Sequence, residues 1–380
     1  MDVFLAGAGV ARFGRREGSL ADLAREAAAA ALTDAGLEAG DIDHLFVATQ
    51  FPESLAGQAN AAAWIAGAIG TVPAPATRIE TAPSSGAAAL HAAVAAVGAG
   101  LAERALVVGA ETMTRVPTDV ASRVLADMID PRERRYGLTM PALVALMTRR
   151  AMRDHGVTRE DLALAAVKAH AHGARNPDAQ FRKPVSVEDV LRSPLVADPL
   201  RVFDCAPMSD GAAALLVTAR PSRVRVAGLG QATDTLSLAE RPGNDFLTGF
   251  RATRLAADQA FARAGWSRRD VDVLETHDAF TLLEITNLAD LGFATVAESA
   301  AMLRAGETAL GGRLPTNLGG GLKARGHPVG ATGVAQVAEL VRQLRGEAGP
   351  RQADRARRAL AHNIGGLGNN VLVTLLEAVA

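Results

Sequence analysis

Two histidines and one sharp corner carry the chemistry this chain offers. His327 stands in "NLGGGLKARGHPVGATG" (317–333), between Gly326 and Pro328 and just before a helix expected to begin near Ala331. Glycines permit tight turns and close backbone approach. An imidazole in such a turn can reach a cleft and act there as base or hydrogen-bond donor. The plainer reading is a glycine-rich turn with an incidental histidine. His277 opens "HDAF" (277–280), after a segment that reads as a strand. "IETAPSSGAAALHAA" (79–93) reads as a strand ending at Glu80, a turn over 81–86 and an alanine-rich helix. Enzymes often mount a nucleophile at such a corner, but here it holds Pro83, Ser84 and Ser85 and no cysteine. Proline at a helix entry is also an ordinary structural device.

Other candidates carry less. His170 and His172 stand two apart in "KAHAHGARNPDAQ", with no third ligand nearby, so packing or solvation is the better reading and no metal site is expected. His91 and His155 within helices, and His44 at a strand start, read as structural. Tyr136 is the only tyrosine and Cys205 the only cysteine. An intrachain disulfide and a cysteine-based zinc site are therefore excluded, and Cys205 reads as a small buried apolar residue.

The elements that must position these groups alternate between strand and helix. Strands are expected at 3–11, 44–50, 104–111 and 213–219, with helices at 20–36 and 86–101. Val- and Leu-rich strands separated by helices suggest a largely parallel sheet covered on both faces. Residues 112–200 are more charged, carry helices at about 139–155 and 159–169, and read as an insertion. The second half repeats the first. "AGLEAGDIDHLFV" (35–47) parallels "AGWSRRDVDVLET" (264–276), and "VFLAGAGVA" (3–11) parallels "RVRVAGLGQA" (223–232). "ERALVVG" (103–109) parallels "RRALAHN" (357–363), and "ALLVT" (214–218) parallels "NVLVT" (370–374). Four matches in the same order imply two similar halves with a site between them. The expected division is 1–111 with 201–219, an inserted 112–200, and 222–380.

Composition sets the outer bounds. The 380 residues are 49% hydrophobic, 21% charged and only 4% aromatic, with a formal net charge of −1. That charge draws the chain to neither nucleic acid nor an anionic membrane. The longest apolar stretch, 87–102, is short, weakly hydrophobic and interrupted by His91. With no signal-peptide pattern at the N-terminus, a cytoplasmic protein is expected.

At "GGLKARGHPVGATG" the chain resembles the thiolase superfamily, in its sterol-carrier-protein-type and archaeal branch. "HDAF", "HNIGGLG" (362–368) and "FDCAPMSDGAAALLVT" (203–218) resemble further motifs of that branch, and the likeness covers essentially the whole chain. The resemblance implies an α/β thiolase fold. It has two duplicated βαβαβαββ halves, each a five-stranded mixed sheet, in α-β-α-β-α layers with an inserted loop domain. It implies a homodimer. It implies His327 as the residue that activates a nucleophile and polarises a thioester carbonyl, and His277 as the holder of the water in that oxyanion site. It implies Gly365 as an oxyanion N–H donor. The motif glycines Gly320, Gly321, Gly326 and Gly330 are expected to border substrate. Pro83 stands where the family's nucleophilic cysteine stands, and proline offers neither a nucleophile nor an N–H. The family's second cysteine, in its two known places, matches Ala279 or Asn363. Ser85 matches a structural serine expected to cap the helix that follows. Ser84 is expected to point away from the nucleophile's place, while residues 81–86, with Ala279, Asn363 and Gly365, are expected to line the site.

The combination retains thioester-binding parts without the covalent part. It implies non-covalent retro-aldol cleavage of a β-hydroxyacyl-CoA, with coenzyme A thioester as substrate and no bound cofactor. Relatives of this kind, thiolase-fold aldolases that shorten sterol-like side chains, are thought to use tyrosines, which are absent from the motif positions here. They work with an OB-fold/zinc-ribbon (DUF35-type) partner. The alternatives are an acyltransferase with a non-standard nucleophile and a non-catalytic acyl-CoA-binding subunit.

Overall fold

The computed structural model describes residues 2–241 and 247–379. The first half runs β1 (Phe4–Gly14), α1 (Leu20–Ala35), β2 (His44–Ala48), α2 (Pro52–Ala56), α3 (Ala61–Ile69), β3 (Ala76–Ile79), α4 (Ser85–Gly98) and β4 (Arg104–Glu111). An inserted segment follows, with α5 (Thr118–Ala126), α6 (Pro131–Arg134), α7 (Met140–His155), α8 (Arg159–Gly173), α9 (Val187–Arg192) and a small hairpin of β5 (Leu195–Ala197) and β6 (Leu200–Arg201). β7 (Asp210–Thr218) completes the first half. The second half is β8 (Val224–Thr233), α10 (Arg251–Ala264), β9 (Val273–Glu275), α11 (Thr281–Asp290), α12 (Val296–Arg304), α13 (Thr332–Arg345), β10 (Arg358–Gly365) and β11 (Asn370–Ala378).

Nine strands form one sheet in the order β3-β2-β4-β7-β1-β8-β11-β10-β9. The order is palindromic in role: β1, β7, β4 and β2 correspond to β8, β11, β10 and β9, with the same directions of pairing. The halves meet at the β1–β8 edge through the Phe4–Arg225 pair. The sheet is mixed rather than largely parallel. β7 and β11 each run antiparallel to both neighbours, which a run of aliphatic residues does not reveal. The second half's fifth strand shrinks to a single bridge between Leu274 and Thr316.

The duplication extends to individual hydrogen bonds. One oxygen of Asp43 accepts the N–H groups of Glu103 and Arg104 at 3.0 and 2.8 Å. Asp272 does the same for Arg357 and Arg358 at 2.9 and 3.0 Å. Gly36 and Gly265 end α1 and α10 in the left-handed region, each at φ 67°. α1 and α3 cover one outer face, and α10 and α11 cover the corresponding face of the second half. α4 and α13 lie between the two half-sheets and against each other. Five layers result.

The outer helices sit unusually close to the sheet because small residues face them. A Cβ on Gly9 would stand 2.2 Å from the carbonyl oxygen of Ala27, and one on Gly230 1.8 Å from that of Ala256. Gly9→Ala and Gly230→Ala should each cost about 1–3 kcal/mol, the usual scale for overpacking. Gly67, inside α3 with open space where a Cβ would go, is the control. Gly67→Ala should stabilise by up to about 1 kcal/mol through helix propensity. Denaturant midpoints at unchanged slope check both signs.

Candidate active site

His327 is set by the turn that precedes it. The chain makes a π-helical turn over Gly321–Arg325, then Gly326 at φ 113°, a conformation that strongly favours glycine. The His327 N–H donates to the Ser209 hydroxyl at 3.1 Å. His277 follows the end of β9, and its segment is clamped on three sides. Thr276 N–H donates to Asn317 Oδ1 at 2.7 Å, Asn287 Nδ2 to the His277 carbonyl at 3.0 Å, and Ala206 N–H to the Ala279 carbonyl at 2.8 Å.

The two imidazoles meet edge to face, with centroids 5.0 Å apart and an interplanar angle of 87°. Their outer nitrogens have different partners. His327 Nδ1 lies 2.7 Å from Thr332 Oγ1, and that hydroxyl donates to the Pro328 carbonyl at 3.0 Å. The hydroxyl proton is thereby engaged, so His327 carries its own proton on Nδ1 and presents a bare Nε2. His277 Nδ1 lies 3.0 Å from Asn363 Nδ2. With Asn363 presenting its amide nitrogen, which donates only, His277 accepts on Nδ1 and carries its proton on Nε2. The site offers one acceptor nitrogen and one donor nitrogen, neither bonded to protein. Burial keeps both rings neutral. It pushes the His327 pKa down to about 3, helped by nearby Arg325, and it pushes that of His277 well below the ordinary histidine value.

Both rings open on a cavity of about 300 Å³. Pro83 and Ala279 share its lining with them, and so does Gly366. The rest is mainly apolar, with Met113, Leu125, Met128, Met140, Val144, Met208, Phe280 and Leu367 prominent. Several of these come from the inserted segment, whose loose sequence pattern gave no hint that it walls the site. Cys205 also lines the cavity. It is partly buried rather than fully so, and burial pushes its thiol up to about 11, which leaves little thiolate.

The corner at 81–86 reaches the cavity through Pro83. Its serines do not act as expected. α4 begins at Ser85, and the residue in the cap position is Ser84, whose side chain makes no capping bond. Ser85 Oγ donates to the Ala82 carbonyl at 2.6 Å and accepts the Thr81 N–H at 2.9 Å, so it braces the turn. Ser84 Oγ donates to the Thr81 carbonyl at 2.6 Å, is fully buried, and does not line the cavity. Asn363 sits behind His277 rather than in the lining. Gly365 packs against the corner, where a Cβ would fall 2.3 Å from the Thr81 carbonyl oxygen.

The motif glycines have a different task from the one expected. A Cβ on Gly320 would meet Gly173 of α8, one on Gly321 the Asp278 carboxylate, one on Gly326 Ser209, and one on Gly330 the backbone of Thr49. They allow close packing of protein on protein, and none lines the cavity. Thr332, Ser209 and Glu111 were missed. Glu111 accepts the N–H groups of Gln50, Phe51 and Gly330. Only Thr332, five residues after His327 in the same motif, left a readable signal.

The remaining histidines are structural. His91 Nε2 pairs with Thr374 at 2.9 Å, and His362 Nε2 with Thr253 at 3.1 Å. His170 stacks on Phe181. His172 accepts the Leu310 N–H on Nε2 and faces the Asn317 carbonyl with Nδ1. Among the described residues, no three His, Cys, Asp or Glu side chains gather as a metal site would require.

Neutral buried histidines make stability depend on pH. Burial pushes His91, His172, His327 and His362 down to about 3, and His277 falls as well. Between their folded values and about 6.5, the ordinary histidine value, the unfolded chain binds protons that the folded chain does not. Their contribution is complete above pH 6.5 and is lost as pH falls. Glu111 and Glu275, pushed up to about 7 by burial, and Asp278, to about 6, act in the opposite sense above their ordinary values. The histidines outnumber them. Unfolding free energy should therefore fall from pH 6.5 to 5, by at most about 1.4 kcal/mol per pH unit for each uncompensated histidine. Urea titrations at the two pH values measure the slope.

Comparison with known proteins agrees with this geometry. Residues 3–221 match the thiolase N-terminal domain, and residues 230–378 match the thiolase C-terminal domain-like family. The chain is 40% identical to an acetyl-CoA acetyltransferase of Methanothermobacter thermautotrophicus over 99% of both chains. It is 34% identical to sterol carrier protein 2 of Gallus gallus, over 98% of this chain and 71% of that one. A solved structure described as "Ltp2-ChsH2(DUF35) aldolase" superposes with a TM-score of 0.84 at 28% identity, covering 99% of this chain and 98% of that one. Human mitochondrial 3-ketoacyl-CoA thiolase in complex with CoA superposes at 0.75 and 18% identity, covering 100% and 98%, a likeness of fold alone. With both thiolase domains matched in order, and a relative at that identity along its whole length, the chain belongs to the thiolase superfamily.

Proposed function

We propose that the protein is an acyl-CoA carbon–carbon lyase that cleaves a β-hydroxyacyl-CoA by a non-covalent retro-aldol reaction. The observation that carries the proposal is Pro83 in the cavity wall beside two neutral histidines of opposite hydrogen-bonding sense. A covalent thiolase needs a nucleophile. Pro83 has none, the Ser84 hydroxyl is turned away from the cavity, and Cys205 is held as a thiol. A retro-aldol reaction needs a base for the β-hydroxyl and a donor for the enolate oxygen. The bare Nε2 of His327 suits the first role and the Nε2–H of His277 the second. The aldolase neighbour supports this reading.

The acetyl-CoA acetyltransferase relatives favour a second reading, acyl transfer with a non-standard nucleophile. A coenzyme A thioester is the substrate in both. We further propose a cytoplasmic homodimer formed through β3, the open edge of the first half-sheet. An OB-fold/zinc-ribbon (DUF35-type) partner is also proposed, by analogy with the partner named in that neighbour's description. Among the described residues, no helix is long and apolar enough to cross a membrane.

The test compares 3-hydroxyacyl-CoA with 3-ketoacyl-CoA, with and without a DUF35 protein, and records intact mass. Cleavage of the hydroxy substrate without free CoA and without an adduct is expected. His327→Ala should lower the rate by about 10²–10⁴, and His277→Ala by about 10²–10³. An acyl adduct on Ser84, Ser85 or Cys205, or CoA-dependent cleavage of the ketone, would establish the acyltransferase instead. Turnover of neither substrate under any condition would leave a non-catalytic acyl-CoA-binding subunit. Pro83→Cys restores a thiol and an N–H at the corner and should create thiolytic activity if the rest of the site is intact.

A further inference from the structure

Carbon–carbon cleavage leaves two loose ends: a proton on the base and an enolate that must be protonated at carbon. Among the described residues lining the cavity, the groups able to exchange a proton are His277, His327 and Cys205, with the hydroxyls of Ser122 and Thr139 on its wall. His277 is occupied as donor to the enolate oxygen, since its Nδ1 is taken by Asn363. Cys205 is held toward the Arg201 carbonyl, with Sγ 3.6 Å from that oxygen. His327 remains. Its Nδ1 is fixed by Thr332, so any proton it gains resides on the cavity-facing Nε2.

We infer that His327 is a single proton shuttle, taking the proton from the β-hydroxyl and returning it to the α-carbon of the departing thioester enolate, so that the same site also exchanges the α-protons of an acyl-CoA with solvent. The inference rests on the lyase reading. In the first step the O–H bond breaks to His327 Nε2, its electron pair forms the new C=O, and the Cα–Cβ pair becomes the enolate held by His277. In the second step the Nε2–H bond breaks, the enolate pair forms the Cα–H bond, and the thioester carbonyl returns. His327 ends neutral. No free CoA, water or oxidant is consumed. The imidazolium is a strong acid, because burial and the neighbouring Arg325 disfavour its charge, and it gives its proton either to the basic carbon beside it or to water entering the cavity. Run backwards, the second step alone removes an α-proton from a simple acyl-CoA.

The test incubates the intact protein with propionyl-CoA in D2O, without any carbonyl acceptor, and follows α-deuterium by NMR. Face-selective exchange is expected, with a loss of about 100-fold or more in His327→Gln. Thr332→Val, which removes the partner that fixes the tautomer without touching substrate, should lower exchange less and shift its pH profile. Circular dichroism and melting of both variants establish that they fold. Exchange without cleavage of any 3-hydroxyacyl-CoA leaves His327 as an α-proton base only, and overturns both the lyase reading and the shuttle that rests on it. Cleavage with no exchange, or with product protonated on both faces alike, keeps the lyase and overturns the shuttle. Exchange that persists in a folded His327→Gln also overturns it, and so does the absence of both reactions.

Discussion

The backbone crossing of the two central helices is the constraint on which the rest of the molecule depends. A Cβ on Gly86 would lie 2.8 Å from the backbone nitrogen of Val334, and one on Gly333 would lie 2.4 Å from that of Ala87. At both places only glycine lets the chains touch. Gly333 also makes room for Asn363, whose Oδ1 would be 2.2 Å from an added Cβ. This contact brings the starts of α4 and α13 together with the end of β10. The Pro83 corner, the His327 loop and the support of His277 then fall within one small volume, although they lie far apart in sequence. Any side chain at the crossing would separate the groups that the chemistry requires to converge.

Given that convergence, electrostatics decides what the groups can do. Two imidazoles 5.0 Å apart in an apolar cavity cannot both be charged at moderate cost. They stay neutral, and their second-nitrogen partners set their roles. Thr332 gives His327 an acceptor face, while Asn363 gives His277 a donor face. The proposed division of labour between base and oxyanion donor is thus set by a hydroxyl and an amide that need not touch substrate.

Much of this was legible in sequence because it is local or repeated. Three of the four duplicated segments, the AG turns that end α1 and α10, the two motif histidines and the absent nucleophile all follow from residue types at fixed offsets. The match of 214–218 with 370–374 is three residues out of register, since Thr218 and Glu377 hold equivalent places. What was not legible depends on distant partners. The direction of β7 and β11 is decided by connections, not by their aliphatic composition. Ser85 was misread as a helix cap and Ser84 as site lining, because their hydroxyls turn back to the carbonyls of Ala82 and Thr81. The four motif glycines were read as substrate contacts, since glycine signals close approach without saying to what. The cavity wall comes from the insertion, where apolar residues carry no period that marks them as lining a site.

The duplication also explains why a two-fold architecture has one catalytic corner. By the internal match of β4 with β10, Glu111 and Gly365 occupy equivalent places, as do Pro83 and Gly330 at the two helix entries. At one corner the Glu111 carboxylate fills the space and takes the N–H of Gly330, together with those of Gln50 and Phe51. That corner is closed by protein, and its donors are spent on a fixed internal carboxyl group. At the other corner the equivalent side chain is missing. Gly365 packs against the Pro83 turn, and the cavity opens beside it at Gly366. The acceptor supplied at one corner by the protein's own Glu111 corresponds, in the proposed reaction, to an acceptor supplied by substrate at the other. The oxyanion of a thioester enolate, as proposed above, is of that kind. Because Pro83 contributes no N–H there, the proposed reaction relies on the Nε2–H of His277 for that stabilisation, which ties that imidazole to which anion the site would accept.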